Sequence, residues 1–295
     1  MLPEYPQFKP LEIEDLIDIS AYLKQINPTI CELAPANLLI WKDFDNPKIT
    51  VMNENLCILI SPLNEPPFFM EPVGNNKTFE TAKACLKHAG RLSRISKGFV
   101  KQFSESEYRV SCLRGQCDYL YETKTLAELK GRKYDGKRNH LKKFGQHFPE
   151  YEYVPMELSF KSAALKLFDE WFESKKGSRF FPKLAYTSQK KALEKTFLLF
   201  EKINLVGGAI LFKNEMKGFI LGSPLNKNTV SVHFQYGQPA TQGISQVLLW
   251  EACRKSFAPF TYTNLEQDLG IPGLRKAKLS YYPLRLEEKF EIRPI

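Results

Sequence analysis

A four-residue motif that occurs once in each half of the chain constrains the fold more than any other feature. Ser-Pro-Leu-Asn stands at 61–64 and again at 223–226, and in both places it follows an apolar hairpin. Each copy precedes a glycine, ten or eleven residues after its asparagine, and then a threonine that can cap the next helix: Gly74 and Thr78, Gly237 and Thr241. Matching motifs at matching offsets indicate a duplicated unit.

The order of predicted elements repeats in the same way. In the first half we predict helices over 10–26, 31–44 and 78–89, a hairpin over 48–52 and 56–61, and a strand over 68–74. In the second half we predict helices over 160–175, 188–203 and 242–256, a hairpin over 207–213 and 217–222, and a strand over 229–236. This is the order of a GNAT-type domain. We therefore predict an α/β (α+β) fold with mixed sheets, a tandem duplication of a GNAT-like acyl-CoA N-acyltransferase fold.

Length and composition agree with two domains. The chain has 295 residues, of which 43% are hydrophobic and 25% charged, enough for two cores of about 150 residues each. We place an N-terminal domain over 1–148, ending in a basic helix at 125–146. A C-terminal domain over 149–295 is expected to hold the active-site cleft.

The sequence carries no targeting signal that we recognise. The first ten residues lack the basic flank and apolar core of a secretory signal, and no apolar run approaches the roughly 20 residues that span a bilayer. The six cysteines have the spacing of neither a zinc site nor a disulfide framework. We expect a cytoplasmic protein with reduced thiols, no transmembrane segment and no metal.

The most basic segment lies between residues 130 and 143, where Asp135 is the single acid. Its basic residues are Lys130, Arg132, Lys133, Lys137, Arg138, Lys142 and Lys143. The whole chain carries a net charge of +9, and this segment suits a phosphate-rich ligand such as tRNA, because each neutralised phosphate adds salt-dependent affinity. A solvated helix face is the alternative that the sequence leaves open.

Charged residues also gather near the C-terminus. Glu266 and Asp268 precede a Gly-Ile-Pro-Gly turn, and Lys278 follows it. Acids and bases this close can position an amine and polarise a carbonyl, so these three are our candidate catalytic residues. The alternative is a charged turn with a structural ion pair. His233, in an alternating strand, is interpreted as a structural residue.

A glycine-rich stretch at 236–245 leads into the predicted helix at 242–256. Backbone N–H groups at such a helix start can bind an anion, which makes Gly237, Thr241 and Gly243 candidate binding residues. The Gln/Arg-x-x-Gly-x-Gly/Ala pattern of acetyl-CoA-dependent GNAT enzymes is not met after Gln235 or Gln238.

Several segments together resemble a known family. They are Asp118–Tyr121, Leu129–Lys133, Lys137–His140, Tyr151–Val154, Asn264–Gly270 and Gly273–Lys278. The chain is similar to bacterial proteins related to the C-terminal catalytic domain of phosphatidylglycerol lysyltransferase. The resemblance implies a tandem GNAT fold shared with Fem-type aminoacyltransferases, transfer of an aminoacyl group from aminoacyl-tRNA, and a functional role for Lys278.

Three functions remain open at this stage. The first is an aminoacyltransferase that uses aminoacyl-tRNA and an amine or hydroxyl acceptor. The second is an acyl-CoA-dependent N-acyltransferase that acts on a small amine. The third is a binding protein without catalysis on the same scaffold. The sequence does not decide the donor, the acceptor or the oligomeric state.

Overall fold

The computed structural model describes residues 2–175 and 183–295. The chain divides into two compact units. The first unit comprises Met1–Asp118, Gln267–Pro272 and Leu286–Ile295, and the second comprises Tyr119–Glu266 and Gly273–Arg285. The basic segment at 125–146, which the sequence analysis assigns to the N-terminal domain, therefore lies in the second unit. The boundary predicted at residue 148 does not coincide with this division.

The helices are α1 (Leu16–Ile26), α2 (Pro35–Ile40), α3 (Lys42–Asp45), α4 (Thr78–Ala89), α5 (Lys97–Val100), α6 (Thr123–Glu128), α7 (Asp135–His147), α8 (Lys161–Glu173), α9 (Lys183–Leu198), α10 (Ile244–Arg254) and α11 (Pro272–Leu279). The strands are β1 (Lys9–Pro10), β2 (Lys48–Met52), β3 (Asn55–Ile60), β4 (Phe68–Phe69), β5 (Leu92–Ser96), β6 (Tyr108–Cys112), β7 (Asp118–Glu122), β8 (Glu152–Pro155), β9 (Val206–Phe212), β10 (Glu215–Asn226), β11 (Thr229–Gly237), β12 (Tyr262–Gln267), β13 (Arg285–Glu287) and β14 (Lys289–Pro294).

The strands form two mixed sheets of seven strands each. The first has the order β1-β2-β3-β4-β5-β14-β6, and the second has the order β13-β7-β12-β11-β10-β9-β8. In the first sheet β2, β3 and β4 are antiparallel and β5 joins β4 in parallel. In the second sheet β9, β10 and β11 are antiparallel and β12 joins β11 in parallel. The predicted tandem of GNAT-like units with mixed sheets is confirmed.

Each sheet is completed by a strand from the other half of the sequence. The C-terminal strand β14 lies between β5 and β6, where Phe290 is opposite both Ile95 and Cys112. Strand β7 in turn lies beside β12 in the second sheet. This exchange explains why the units are discontinuous in sequence.

In helix α4, the apolar residues at helical spacing are the ones that pack into the core. Its buried residues Ala82, Cys85 and Leu86 follow helical spacing and pack in a cluster with Phe69 of β4. Gly90 ends the helix with a φ of 75°, a backbone conformation that glycine adopts without steric cost. Within the described residues, no helix has both the length and the apolar character that crossing a bilayer requires.

Candidate active site

The parallel pairing of β11 and β12 is short. It runs from Thr229 opposite Tyr262 to Ser231 opposite Asn264, where the register ends, although β11 continues to Gly237. Ligands of α/β sheets tend to bind at the carboxyl ends of parallel strands. The polar side chains at the end of this pairing are therefore the first place to look for chemistry.

Three side chains form a hydrogen-bonded row at this point, which we call the Ser-His-Glu row: Ser223, His233 and Glu266. Nε2 of His233 lies 2.8 Å from the Ser223 hydroxyl, and Nδ1 lies 2.8 Å from Oε1 of Glu266. The Ser231 hydroxyl donates to the same Oε1 at 3.0 Å. All of these residues belong to the second unit.

The backbone conformation at His233 and at Glu266 orients these two side chains. Leu221 pairs with Phe234 and Gly222 with Val232, so His233 is the extra residue of a β-bulge on β11. Bulges re-aim side chains and are frequent beside active sites. Glu266 has a φ of 57°, which is uncommon for a residue with a side chain and indicates a backbone held in place by its surroundings.

His233 is the functional candidate that the sequence analysis set aside. The alternating pattern of β11 gives it a structural interpretation, and its partners come from β10 and β12, which no local pattern reveals. The sequence places two serines near it without showing that they face it: Ser231 stands two residues away on the strand, and Ser223 begins the repeated Ser-Pro-Leu-Asn motif. Glu266, in contrast, was identified from its neighbours in sequence.

Lys278 and Glu266 are brought together. The Lys278 ammonium donates to the carbonyl oxygens of Leu265 at 2.6 Å and of Glu266 at 3.2 Å. The Tyr121 hydroxyl donates to the carbonyl oxygen of Lys278 at 2.7 Å. These bonds tie α11 to the end of β12 and place a positive charge beside the Glu266 peptide.

Asp268 belongs to the first unit, where its carboxylate is fully buried. It accepts from Nη1 of Arg114 at 3.1 Å and from the backbone N–H of Gly270 at 2.8 Å. A carboxylate with these partners stabilises the turn that follows β12. The contacts of Asp268 are those of a residue that stabilises the fold.

The basic segment divides into residues with structural contacts and residues facing solvent. Arg138 donates to the carbonyl oxygens of Leu129 and Gly131 and to Asp135. Lys137 donates to the Ser280 hydroxyl at 2.6 Å, and burial lowers its pKa. Further contacts are those of Lys133 with the rings of Tyr134 and Tyr282. The other exposed cations are Lys130, which pairs with Glu128 at 3.0 Å, and Arg132, Lys142 and Lys143.

The glycines before α10 are explained by packing. A Cβ on Gly237 would lie 2.5 Å from Cγ2 of Ile244, and one on Gly243 would lie 2.9 Å from the carbonyl oxygen of His140. The Thr241 hydroxyl donates to Oε1 of Gln238 at 3.4 Å. The backbone of α7 thus lies directly against the start of α10, the place where the sequence analysis predicts an anion.

The phosphatidylglycerol lysyltransferase C-terminal family matches residues 23–293. The chain belongs to this family. The resemblance found in the sequence is thereby confirmed, and the family covers both units.

Three relatives of this lysyltransferase-family protein span most of it. A conserved protein of unknown function from Bacteroides thetaiotaomicron has a TM-score of 0.89 and 26% identity, with 100% of both chains covered. L-PGS from Bacillus licheniformis has a TM-score of 0.65 at 14% identity, covering 99% of this chain and 93% of that one, and shows the shared fold. An uncharacterized protein of Mycoplasmoides gallisepticum is 22% identical over 255 residues, or 83% of this chain and 79% of that protein.

The lysyltransferase-family protein also has a cluster in its first unit with the donor atoms of a metal site. One donor atom each of Cys31, Glu32 and Asp118 lies within 4.8 Å of the others. The ammonium of Lys289 lies among them, 2.5 Å from Glu32, 2.6 Å from Asp118 and 3.4 Å from the Cys31 sulfur. A lysine therefore supplies the positive charge that a metal ion would bring.

Proposed function

We propose that this protein transfers an aminoacyl group from aminoacyl-tRNA to an amine or hydroxyl acceptor, with Glu266 as the general base. The observation that carries this proposal is the Glu266 carboxylate, held by Ser231 and His233 where the pairing of β11 and β12 ends. Membership of the lysyltransferase family supports aminoacyl transfer as the reaction class.

The proposed reaction moves one proton and one acyl group. Glu266 takes a proton from the acceptor nitrogen or oxygen, which attacks the carbonyl carbon of the aminoacyl ester. The new bond to the acceptor forms, and a tetrahedral oxyanion results, which the positive charge of Lys278 and backbone N–H groups stabilise. When the intermediate collapses, the bond to the ribose oxygen of the tRNA breaks, and that oxygen receives the proton from Glu266.

The reaction is tested with bulk tRNA charged with radiolabelled amino acids and offered to small amines or to phosphatidylglycerol vesicles. We expect labelled product with the unaltered protein and a rate reduced on the order of 10²- to 10⁴-fold in Glu266→Gln. An equal rate in Glu266→Gln, or no product with any acceptor, would refute the proposal. Product formed from acyl-CoA instead would support the competing N-acyltransferase.

The exposed cations of the basic segment are the proposed tRNA surface. The informative change is Lys142→Glu with Lys143→Glu, because both side chains on α7 are exposed. Each phosphate contact that is lost should reduce the slope of log affinity against log salt by about one. Lys24→Glu with Lys87→Glu is the matched control, since it makes the same charge change on exposed positions of the first unit. Equal slopes in both variants would place the tRNA elsewhere.

A further inference from the structure

For a neutral His233 imidazole, the hydrogen bonds of the Ser-His-Glu row define one protonation pattern. An ionised carboxylate can only accept, so Nδ1 of His233 must carry the hydrogen that it shares with Glu266. Nε2 is then the acceptor, and the Ser223 hydroxyl must donate to it. The carboxylate thus selects the Nδ1–H tautomer, and the Ser223 hydroxyl complements it by donating to Nε2.

Burial decides which end of the row reaches a substrate. Ser223 is 1% exposed and the His233 side chain is fully buried, whereas the Glu266 side chain is 13% exposed. A nucleophilic serine must contact the acyl carbon, which this burial prevents. The carboxylate is the end that solvent reaches. The glutamate is therefore the group that meets the substrate, whereas in a serine hydrolase the serine does.

From this geometry we infer that His233, oriented by Ser223, is a positioning residue that holds the Glu266 carboxylate in place for proton transfer. This inference rests on the proposed function, since Glu266 must act on an acceptor for its position to matter. His233 donates to Oε1 from one side and Ser231 from another, so two hydrogen bonds fix that oxygen. The charged groups at the row include Glu266 itself, on β12, and Lys278, on α11, whose ammonium donates to the Glu266 carbonyl oxygen.

A misplaced general base lowers the rate of the chemical step more than the binding of substrate. We therefore expect His233→Leu to reduce kcat on the order of a hundredfold while KM for aminoacyl-tRNA stays within about twofold. His233→Asn retains an N–H donor near the position of Nδ1 and should recover most of the lost rate. Thr263→Val is the structural control, because the Thr263 hydroxyl is buried and bonded to Thr123 at 2.9 Å.

Nitrogen NMR of the imidazole rings gives a readout that does not depend on turnover. The chain has four histidines, so the His233 signals are those missing from the His233→Asn spectrum. We expect the Nδ1–H tautomer in the unaltered protein and a mixture of tautomers in Ser223→Ala. An Nε2–H tautomer in the unaltered protein would overturn the inference.

The kinetic outcomes separate this inference from the proposed function. The inference alone is overturned if the unaltered protein transfers the aminoacyl group and the kcat of His233→Asn is no higher than that of His233→Leu. It is also overturned if the kcat of His233→Leu equals that of Thr263→Val. Absence of transfer by the unaltered protein overturns both. A selective loss of kcat that His233→Asn restores, together with the Nδ1–H tautomer, supports the inference.

Discussion

Lys289 is the charge whose removal should destabilise the first unit most. It is the first residue of β14, and its side chain is fully buried. Its ammonium lies 2.6 Å from Asp118 and 2.5 Å from Glu32. Burial opposes the charged form, but Asp118, Cys31 and Glu32 outweigh that effect and raise the pKa of Lys289 well above its ordinary value. The lysine therefore stays charged throughout the pH range of ordinary experiments.

Lys289→Met should leave Asp118 as an uncompensated buried carboxylate. Breaking a buried ion pair from one side costs about 3–5 kcal/mol. Asp118 still accepts a hydrogen bond from the backbone N–H of Cys31 at 2.7 Å. We therefore expect a loss of stability at the lower end of this range, about 3 kcal/mol. Adding Asp118→Asn removes the stranded charge, and the double variant should recover on the order of 1 kcal/mol or more.

Two compact units make a single global transition an unsafe measure of this effect. Urea titration followed by hydrogen exchange and mass spectrometry reports the two sheets separately. The loss of hydrogen-exchange protection should fall on peptides from β5, β6 and β14, with a smaller change in β9 to β11. The exposed Lys48→Met is the control and should stay within about 0.5 kcal/mol. A cost below about 1 kcal/mol for Lys289→Met, or a double variant less stable than the single one, would refute the reasoning.

Three further changes test individual contacts. Gly237→Ala should destabilise the second unit by about 1–3 kcal/mol in the same hydrogen-exchange measurement, because the new methyl group meets Ile244 at 2.5 Å. It should not change the salt dependence of tRNA binding. Arg138→Ala should lower stability by about 1–3 kcal/mol through its lost bonds to two carbonyls, and a loss of tRNA affinity at full stability would contradict this. Burial raises the pKa of Asp45 from 3.8 to about 6, so the folded state holds this proton more tightly than the unfolded state. Stability from this group therefore falls as pH rises from about 4 to about 6, and Asp45→Asn should gain up to about 3 kcal/mol over the unaltered protein at about pH 7 but little at about pH 4.

The local elements could be predicted from the sequence because their periodicity and caps lie within one segment. The helix predicted over 78–89 is found at Thr78–Ala89, and the strand predicted over 229–236 is found at Thr229–Gly237. The helix predicted over 10–26 begins later, at Leu16, because Lys9–Pro10 pairs with β2 as an edge strand. The helix predicted over 31–44 is broken at Trp41.

Long-range pairing could not be predicted in this way. The basic helix at 125–146 is two helices, α6 and α7, separated where Leu129 and Gly131 have positive φ. The position of β14 between β5 and β6 depends on partners almost 200 residues away, and no local pattern specifies them. The role of His233 was missed because its partner Glu266 lies 33 residues away in sequence, on a neighbouring strand.

Two buried or partly buried carboxylates near the ends of parallel strand pairs, Glu71 in the first unit and Glu266 in the second, have different partners. After β4 the carboxylate of Glu71 is buried and accepts from the backbone N–H of Ser96 at 2.7 Å, and burial raises its pKa. Before α4 the side chain of Asn55 fills the space beside Gly74 and donates to Thr81 at 3.0 Å. A carboxylate held by the backbone in a filled site serves the fold. The Glu266 carboxylate is held by Ser231 and His233 and is still reached by solvent. Under the proposed mechanism, a change in the Ser-His-Glu row should therefore alter the rate of transfer before it alters the fold.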